Sequence, residues 1–273
     1  MHPMLNTAIK AARSAGNLIL RNLSRIDSLS VSTKQRHDFV SEVDRQAERE
    51  IIKILKRAYP DHTILAEESG LQQADSEFTW IIDPLDGTTN YLHGFPHYAV
   101  SIALKRQQVL DQAVIYDPLK NELFTATKGA GAQLDNHRIR VSPRAKLDGA
   151  LLGTGFPFRM KQHLDTYLEM FRVLFEDAAG VRRAGSAALD LAYVASGRLD
   201  GFWEMGLSPW DMAAGVLLIK EAGGLVCDFN GRQDYLDSGH IVAGTPRVCA
   251  AIQRKIVPFI PAEFKKESPH NAV

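Results

Sequence analysis

The sequence has few cysteines, no excess of either charge and no long apolar run, and each shortage excludes a class of protein. Its 273 residues contain two cysteines, Cys227 and Cys249, in apolar contexts without metal-ligand spacing, which predicts reduced, buried thiols. Lysine plus arginine (32) equals aspartate plus glutamate (32), so strong direct binding of nucleic acid is not expected. No run approaches the roughly 18 apolar residues that span a membrane, and we expect a cytoplasmic protein.

The order of the predicted helices and strands divides the chain into two halves. The first residues are predicted to form an amphipathic helix and not a secretion signal, because apolar and small residues recur at helical spacing from Leu5 to Leu23. The pattern of residues 1–143 predicts an α+β half. Its last part, from about His97, is predicted to be an antiparallel meander. Beyond Pro143 strands and helices alternate, which is typical of an α/β half, residues 144–273. The tail from Phe264 is predicted to be disordered.

The stretch WIIDPLDGTTN ends an apolar strand on two close carboxylates, Asp83 and Asp86. A turn in which Asp86 caps a following helix explains part of this pattern. Three details favour a ligand site instead. Pro84 stiffens the turn, Gly87 lets the backbone approach a ligand, and the next amides open a helix, where phosphate is favoured.

Other acids stand at comparable positions. Glu67 follows the predicted strand HTILA, and Asp211 and Asp44 lie three residues after Ser208 and Ser41. The spacing of Asp211 and of Asp44 is also that of a capping box, and each acid taken alone is explained equally well that way. Carboxylates brought together repel by about 4 kcal/mol per pair at 4 Å, and a hard cation such as Mg²⁺ reverses this. The residues therefore suggest metal-assisted phosphoryl hydrolysis.

These motifs resemble those of a known family. DPLDGTTN is similar to the first signature of the inositol monophosphatase family, and PWDMAAG followed by EAGG is similar to the second. The similarity extends over nearly the whole chain, and GTGFPF with RRAGSAALDLAYVASG resembles the bacterial SuhB-type branch. It implies a layered α-β-α-β-α sandwich of the inositol monophosphatase and sugar phosphatase type, with the active site between the two halves.

The resemblance also implies two or three Mg²⁺ ions in each active site. The first would be held by Glu67, Asp83 and the carbonyl of Leu85, and the second by Asp83, Asp86 and Asp211. A third, more weakly bound ion would have Glu67 as a ligand. We expect lithium to inhibit at the second of these sites.

Further roles follow from the same resemblance. Asp44 and Thr88, with Glu67, would be the catalytic residues, because Thr88 paired with Asp44 orients and deprotonates the attacking water. The substrate would be bound by the residues Asp86, Gly87, Thr88, Gly185, Ala187, Glu204 and Asp211. Lys34 would lie in a mobile loop near the entrance.

Two pairs of residues have alternative interpretations. Arg182 and Arg183 suggest a phosphate or RNA patch, but in the family this region lies near a dimer interface, which makes Arg183 an interface candidate. His93 and His97 suggest a zinc pair, although the acids nearby favour structural or rim roles.

The resemblance predicts a cytoplasmic, homodimeric enzyme that hydrolyses myo-inositol 1-phosphate and related small phosphorylated polyols. The alternative is an accessory factor of ribosomal RNA transcription, acting through contacts with Nus factors and RNA polymerase independently of catalysis. The sequence does not rank polyol, sugar and nucleotide phosphates as substrates.

Overall fold

The computed structural model describes residues 2–24, 31–35 and 38–265, with residues 31–35 and 38–41 given by their backbone alone. Residues 266–273 of the tail predicted to be disordered lie outside these ranges. Phe264, which that prediction included, packs its ring on His240 with 4.1 Å between ring centroids. Among the described residues no helix is both long enough and apolar enough to cross a membrane.

The first part of the chain combines two helices, a hairpin and a large sheet. Helix α1 (Pro3–Asn22) precedes the antiparallel hairpin of β1 (Val31–Gln35) and β2 (Asp38–Ser41), and α2 (Glu42–Ala58) follows. The large sheet contains β3 (Thr63–Ala66), β4 (Gly70–Gln72), β5 (Phe78–Asp86), β6 (Ala99–Arg106), β7 (Val109–Asp117), β8 (Glu122–Thr127), β9 (Gly131–Leu134) and β10 (His137–Arg138). Their spatial order is β10-β9-β8-β7-β6-β5-β3-β4, so the predicted antiparallel meander is present as β6–β10. Among the described strand pairs of this sheet, β3 and β5 run in parallel and the others are antiparallel.

The second part of the chain forms a five-stranded sheet. Its strands are β11 (Leu151–Thr154), β12 (Gly180–Arg182), β13 (Gly201–Met205), β14 (Leu225–Cys227) and β15 (His240–Gly244), in the order β12-β11-β13-β15-β14. The remaining helices are α3 (Thr88–Leu92), α4 (Leu164–Phe175), α5 (Ala187–Ala195), α6 (Pro209–Glu221), α7 (Tyr235–Ser238) and α8 (Pro246–Ile256). The short α7 was not predicted, because four residues carry no helical period.

The helices and sheets stack in five layers. α1 and α2 cover one face of the large sheet, α5 and α6 lie between the two sheets, and α4 and α8 cover the outer face of the small sheet. The two middle helices are buried along almost their whole length, as expected for helices that are apolar on every side. The predicted α-β-α-β-α sandwich is confirmed.

Strand β5 carries the first signature and is longer than predicted. The sequence suggested a strand followed by an exit turn, but β5 continues to Asp86 through a register shift between Asp83 and Asp86 against β6. Pro84 falls inside this irregularity, where its missing N–H breaks no regular ladder bond. Because β3 and β5 run in parallel, their ends reach the same edge of the sheet, and Glu67 N donates to Ile82 O at 3.1 Å.

A buried histidine makes the fold sensitive to acid. Burial lowers the pKa of His240 to about 4, against about 6.5 in an unfolded chain. Between these values the unfolded chain takes up a proton that the folded chain does not, so stability is complete above pH 6.5 and falls toward pH 4. Since Phe229 and Phe264 pack on the ring, His240→Phe should fit the same space.

We predict that His240→Phe reduces the loss of unfolding free energy between pH 8 and pH 5 by roughly 2 kcal/mol. The measurement is urea unfolding at both pH values, with exposed His137→Gln as the control. An unchanged loss in His240→Phe would show that His240 is not the group that responds.

Candidate active site

A cleft of about 480 Å³ opens where the two sheets approach each other through the middle helices. One wall comes from the end of β5 and the start of α3, and the other comes from β11, β13 and the starts of α5 and α6. Six carboxyl groups line it, those of Glu67, Asp83, Asp86, Asp190, Glu204 and Asp211. Three cationic side chains also line it, those of Arg159, Lys161 and Arg183.

Three of these carboxylates form a tight cluster. Asp83, Asp86 and Asp211 each place an oxygen within 4.8 Å of the other two. The first two come from the irregular end of β5, and the third comes from the first turn of α6. The structure thus brings together acids that are separated by more than 120 residues in the sequence. They are the same three acids that the sequence predicted would share a metal ion.

Each carboxylate in the cluster is held by a hydrogen bond from the chain around it. Asp83 accepts from the Leu85 amide at 3.0 Å, and Asp86 accepts from Ser186 Oγ at 2.6 Å and the Ala188 amide at 2.7 Å. Asp211 accepts from the Ser208 amide at 2.7 Å and completes a capping box, so the alternative interpretation of this acid is also correct. Asp211 therefore caps α6 and contributes an oxygen to the cluster at the same time.

Asp44 and Thr88 meet beside the cluster. Thr88 Oγ1 lies 2.7 Å from Asp44 Oδ1 and 3.1 Å from the carbonyl of Leu85. Asp44 is fully buried in the first turn of α2, where the start of the helix favours a negative charge. Its predicted capping partner, Ser41, lies outside the residues whose side chains are described. The side chain of Lys34, the predicted loop residue in β1, lies outside them too.

The crowding of acids shifts their protonation. Burial, then repulsion from Glu67, Asp86 and Asp211, raises the pKa of Asp83 well above its usual value. Burial and repulsion from Asp211 raise the pKa of Asp86 to about 7, against the opposing hydrogen bonds from Ser186 and Ala188. The cluster therefore holds protons near neutral pH unless a cation neutralises it.

Gly87 joins the cluster to α3 in a conformation that favours glycine. Its φ is +98°, in the left-handed region. A methyl group there would also lie 3.0 Å from the carbonyl oxygen of His97 and 3.3 Å from that of Gly185. The glycine therefore lets the chain turn directly from Asp86 into α3, and it brings the first amides of that helix to the cleft.

The cleft also contains the residues predicted to contact the substrate alcohol. Gly185, Ala187 and Glu204 all line it, and burial raises the pKa of Glu204. Asn90 fixes this wall, because its side-chain amide donates to the carbonyls of His97 at 2.7 Å and Ala184 at 2.9 Å.

The cleft has a cationic rim that the sequence only partly indicated. Arg183, predicted near an interface, lines the mouth with its guanidinium 5.4 Å from the ring centroid of Phe156 and 4.8 Å from that of Phe158. Arg159 Nη1 contacts Ser208 Oγ at 2.7 Å and Asp211 Oδ2 at 3.3 Å.

Sequence reasoning missed Arg159, Ser186 and Asp190 as residues of the cleft. A charged residue inside the otherwise apolar segment SAALDLAYVA was the available signal for Asp190. Arg159 and Ser186 had no such signal, because each lies in a loop or cap whose position depends on packing with distant segments.

The donor set of the cluster is that of a hard divalent cation. All of its side-chain ligand atoms are carboxylate oxygens, and the Leu85 carbonyl lies next to it through Thr88. Histidine and cysteine, the side chains that zinc prefers, are absent from the described residues that line the cleft. The predicted zinc alternative for His93 and His97 has no support in this arrangement.

The sequence profile of the inositol monophosphatase family matches residues 1–259. The chain belongs to this family. It is 55% identical to Nus factor SuhB of Pseudomonas aeruginosa over 271 residues, which is 97% of this chain and 100% of that protein. It is also 55% identical to Nus factor SuhB of Escherichia coli (strain K12), over 92% of this chain and 95% of that protein. The predicted resemblance to the SuhB-type branch of the family is confirmed.

Solved structures of the family have the same fold. The crystal structure of extragenic suppressor protein SuhB from Bartonella henselae superposes with a TM-score of 0.91 at 44% identity, covering 93% of this chain and 98% of that one. Inositol monophosphatase from Anabaena (Nostoc) sp. PCC 7120 superposes with a TM-score of 0.84 at 39% identity, covering 95% and 97%. Membership of this family supports phosphatase chemistry for the cleft.

The crowded acids of this family member should destabilise it in the absence of metal. In the folded protein the pKa of Asp83 is raised, so ionisation of this carboxyl group lowers the free energy of unfolding. The loss is absent below about pH 4 and grows as the pH rises above that value. We predict that Asp83→Asn, in EDTA at pH 8, raises the free energy of unfolding by roughly 1–3 kcal/mol. This corresponds to about 2–4 °C in Tm per kcal/mol.

The measurement is thermal unfolding of the wild type and the variant at pH 5 and pH 8, with exposed Asp165→Asn as the control. A gain that is larger at pH 8 than at pH 5 supports the repulsion. A variant less stable than the wild type at both pH values contradicts it.

Proposed function

We propose that the protein is a Mg²⁺-dependent phosphomonoesterase that hydrolyses myo-inositol 1-phosphate and related polyol phosphates to the alcohol and phosphate. The observation that supports it best is the cluster of Asp83, Asp86 and Asp211, with oxygens within 4.8 Å, beside the Thr88–Asp44 pair. The predicted halves, residues 1–143 and 144–273, both supply residues to this site and would act as one catalytic unit.

The residues present fit Mg²⁺. One ion would be held by Glu67, Asp83 and the Leu85 carbonyl. A second would be held by Asp83, Asp86 and Asp211. A third would have Glu67 as a ligand. When bound, such ions neutralise the phosphate charge, lower the pKa of water and stabilise a departing alkoxide. The chain holds Asp86 in place with a hydrogen bond from Ser186 Oγ, and it holds Asp211 with one from the Ser208 amide.

Thr88 and Asp44 would position the attacking water. Because Thr88 Oγ1 donates its proton to Asp44, the lone pairs of the hydroxyl are available to accept a hydrogen bond from water. Asp44 is buried behind Thr88 and fixes the direction of that hydroxyl. Removal of the proton from water would then pass through Thr88 to Asp44, which is the general base of the pair.

The starts of two helices would bind the two ends of the substrate. The amides of Gly87 and Thr88 lie at the beginning of α3, where backbone N–H groups have no partner within the helix and suit phosphate oxygens. Gly185, Ala187 and Glu204 line the part of the cleft beyond the cluster and would contact the alcohol. Asp86 and Asp211 would accept from substrate hydroxyls at the boundary between these regions.

We predict that Asp211→Asn lowers phosphate release from myo-inositol 1-phosphate by at least 10³-fold, because it removes a carboxylate from the cluster. The measurement is steady-state phosphate release with Mg²⁺, with Mg²⁺ plus Li⁺ and with EDTA. The wild type should require Mg²⁺ and lose activity with Li⁺. A folded Asp211→Asn enzyme with activity near that of the wild type would contradict the proposal.

A second candidate function rests on the relatives at 55% identity, which are named Nus factor SuhB. We propose that this chain, as a homodimer, also serves ribosomal RNA transcription through contacts with Nus factors and RNA polymerase. With no net charge overall, it would act through protein surfaces and not by binding RNA directly.

The two functions make opposite predictions about whether a catalytically inactive variant supports growth. In a bacterium whose own copy of this gene is deleted, we predict that Asp83→Asn restores growth as well as the wild type, since the substitution leaves the outer surface unchanged. The measurement is growth rate with matched expression levels. Failure of Asp83→Asn, together with rescue by exposed Asp165→Asn, would make catalysis the required function.

A further inference from the structure

The floor of the cleft holds a carboxyl group that the reaction above does not use. Asp190 lies in the first turn of α5, is 2% exposed, and lines the cleft. Within the part of the chain that the structure describes, its carboxyl oxygens receive no hydrogen bond from the protein. A nearly buried carboxylate to which the protein donates no hydrogen bond, and which still reaches the cleft, is available to a ligand hydroxyl.

Two glycines, Gly153 in β11 and Gly155 directly after it, leave space for two acids. A methyl group on Gly153 would lie 3.5 Å from Cγ of Asp190, and one on Gly155 would overlap the carboxylate of Glu204. After burial, repulsion from Asp190 is the next cause that raises the pKa of Glu204. Asp190 and Glu204 are therefore neighbours in the cleft, and one small molecule with two hydroxyl groups can reach both.

Asp190 also stands at a useful distance from the metal-type cluster. It lies four residues after Ser186, the residue that donates to Asp86 at 2.6 Å. Residues four apart on a helix lie on the same face, about 5–6 Å from each other. A polyol phosphate with its phosphate at the cluster would bring hydroxyls two or three carbons away to Asp190.

Arg183 provides the charge that makes this acid pair tolerable. Its positive charge acts on both Asp190 and Glu204 and opposes the rise in their pKa values. The rings of Phe156 and Phe158 hold the guanidinium at the mouth. Asp190, Glu204 and Arg183 therefore form one group of interacting charges beside the carboxylate cluster.

We infer that Asp190 is a specificity-determining residue that accepts a hydrogen bond from a hydroxyl of the substrate alcohol, alongside Glu204. The substrates are then phosphate esters of alcohols with further hydroxyls, and esters without them are disfavoured. This inference rests on the proposed phosphatase function and extends it to a residue with no role in the metal or water chemistry.

The test compares two substitutions on two esters. Asp190→Leu removes the acceptor and suits the apolar surroundings, whereas Asp190→Asn keeps one acceptor oxygen in the same shape. Asp165→Leu, which removes an exposed acid from the first turn of α4, is the matched control for the effect of a helix-start charge. The esters are myo-inositol 1-phosphate and phenyl phosphate, and thermal unfolding confirms that each variant is folded.

We predict that Asp190→Leu lowers kcat/KM for myo-inositol 1-phosphate by 10- to 100-fold, mainly through KM, because a hydrogen bond to a carboxylate is lost. The value for phenyl phosphate should change less than twofold. Asp190→Asn should recover part of the loss, and Asp165→Leu should match the wild type on both esters. An equal loss on both esters, or no loss on either, overturns the inference.

A second readout needs no catalysis. Ligand-observed NMR with free myo-inositol and Mg²⁺ should show binding to the wild type and to Asp165→Leu, and weaker binding to Asp190→Leu. If the wild type releases no phosphate from either ester, the proposed function fails, and this experiment still decides the role of Asp190. Equal binding of myo-inositol to the wild type and Asp190→Leu, or none to either, overturns the inference.

Discussion

Mutual repulsion among buried carboxylates is the constraint on which the rest of this structure depends. Asp83, Asp86 and Asp211 place oxygens within 4.8 Å of one another, at a depth where burial alone already opposes ionisation. Without a cation the cluster either takes up protons or is destabilised by the repulsion between its charges. A chain that relaxed freely would move these side chains apart, so the surrounding structure must oppose that movement.

The restraints come from elements that are themselves deeply buried. Ser186 and the Ala188 amide at the start of α5 hold Asp86, and the capping box of α6 holds Asp211. Both helices lie between the two sheets and are buried nearly throughout, so their ends cannot shift without opening two layers of core. The five-layer architecture therefore supplies rigidity where the acids would otherwise separate.

The sequence predicted the parts of this arrangement that depend on local pattern. The run of apolar residues before Asp83, the Ser208-Pro209 start of α6 and the alternation of β6–β10 each carry their own signal, and all are found as predicted. The parallel pairing of β3 and β5, which aligns Glu67 with the end of β5, has no local signal. It depends on which strands become neighbours, and that choice is made by packing over the whole sheet.

Long-range contacts also explain which site residues were missed. Ser186 is the N-cap of α5, and its hydroxyl meets Asp86 across 100 residues. Arg159 follows two exposed phenylalanines in a loop, and only the fold brings it to Asp211. Asp190 is the opposite case, because its position in an apolar helix was visible but its orientation toward the cleft was not. Periodicity in the sequence predicts which face of a helix is buried. To predict a site, one must also know which distant segments pack against that face.

The distribution of charge along the cleft adds a constraint on how an anionic ester enters. Acids occupy the base and floor, while Arg159, Lys161 and Arg183 stand nearer the mouth and are exposed. A phosphate dianion is attracted by the rim but repelled by the base, since the interaction between like charges strengthens as water is excluded. The base becomes attractive to phosphate only when cations neutralise its carboxylates. In the proposed function, the acids that repel one another when no cation is bound would therefore also make binding of the ester depend on the metal.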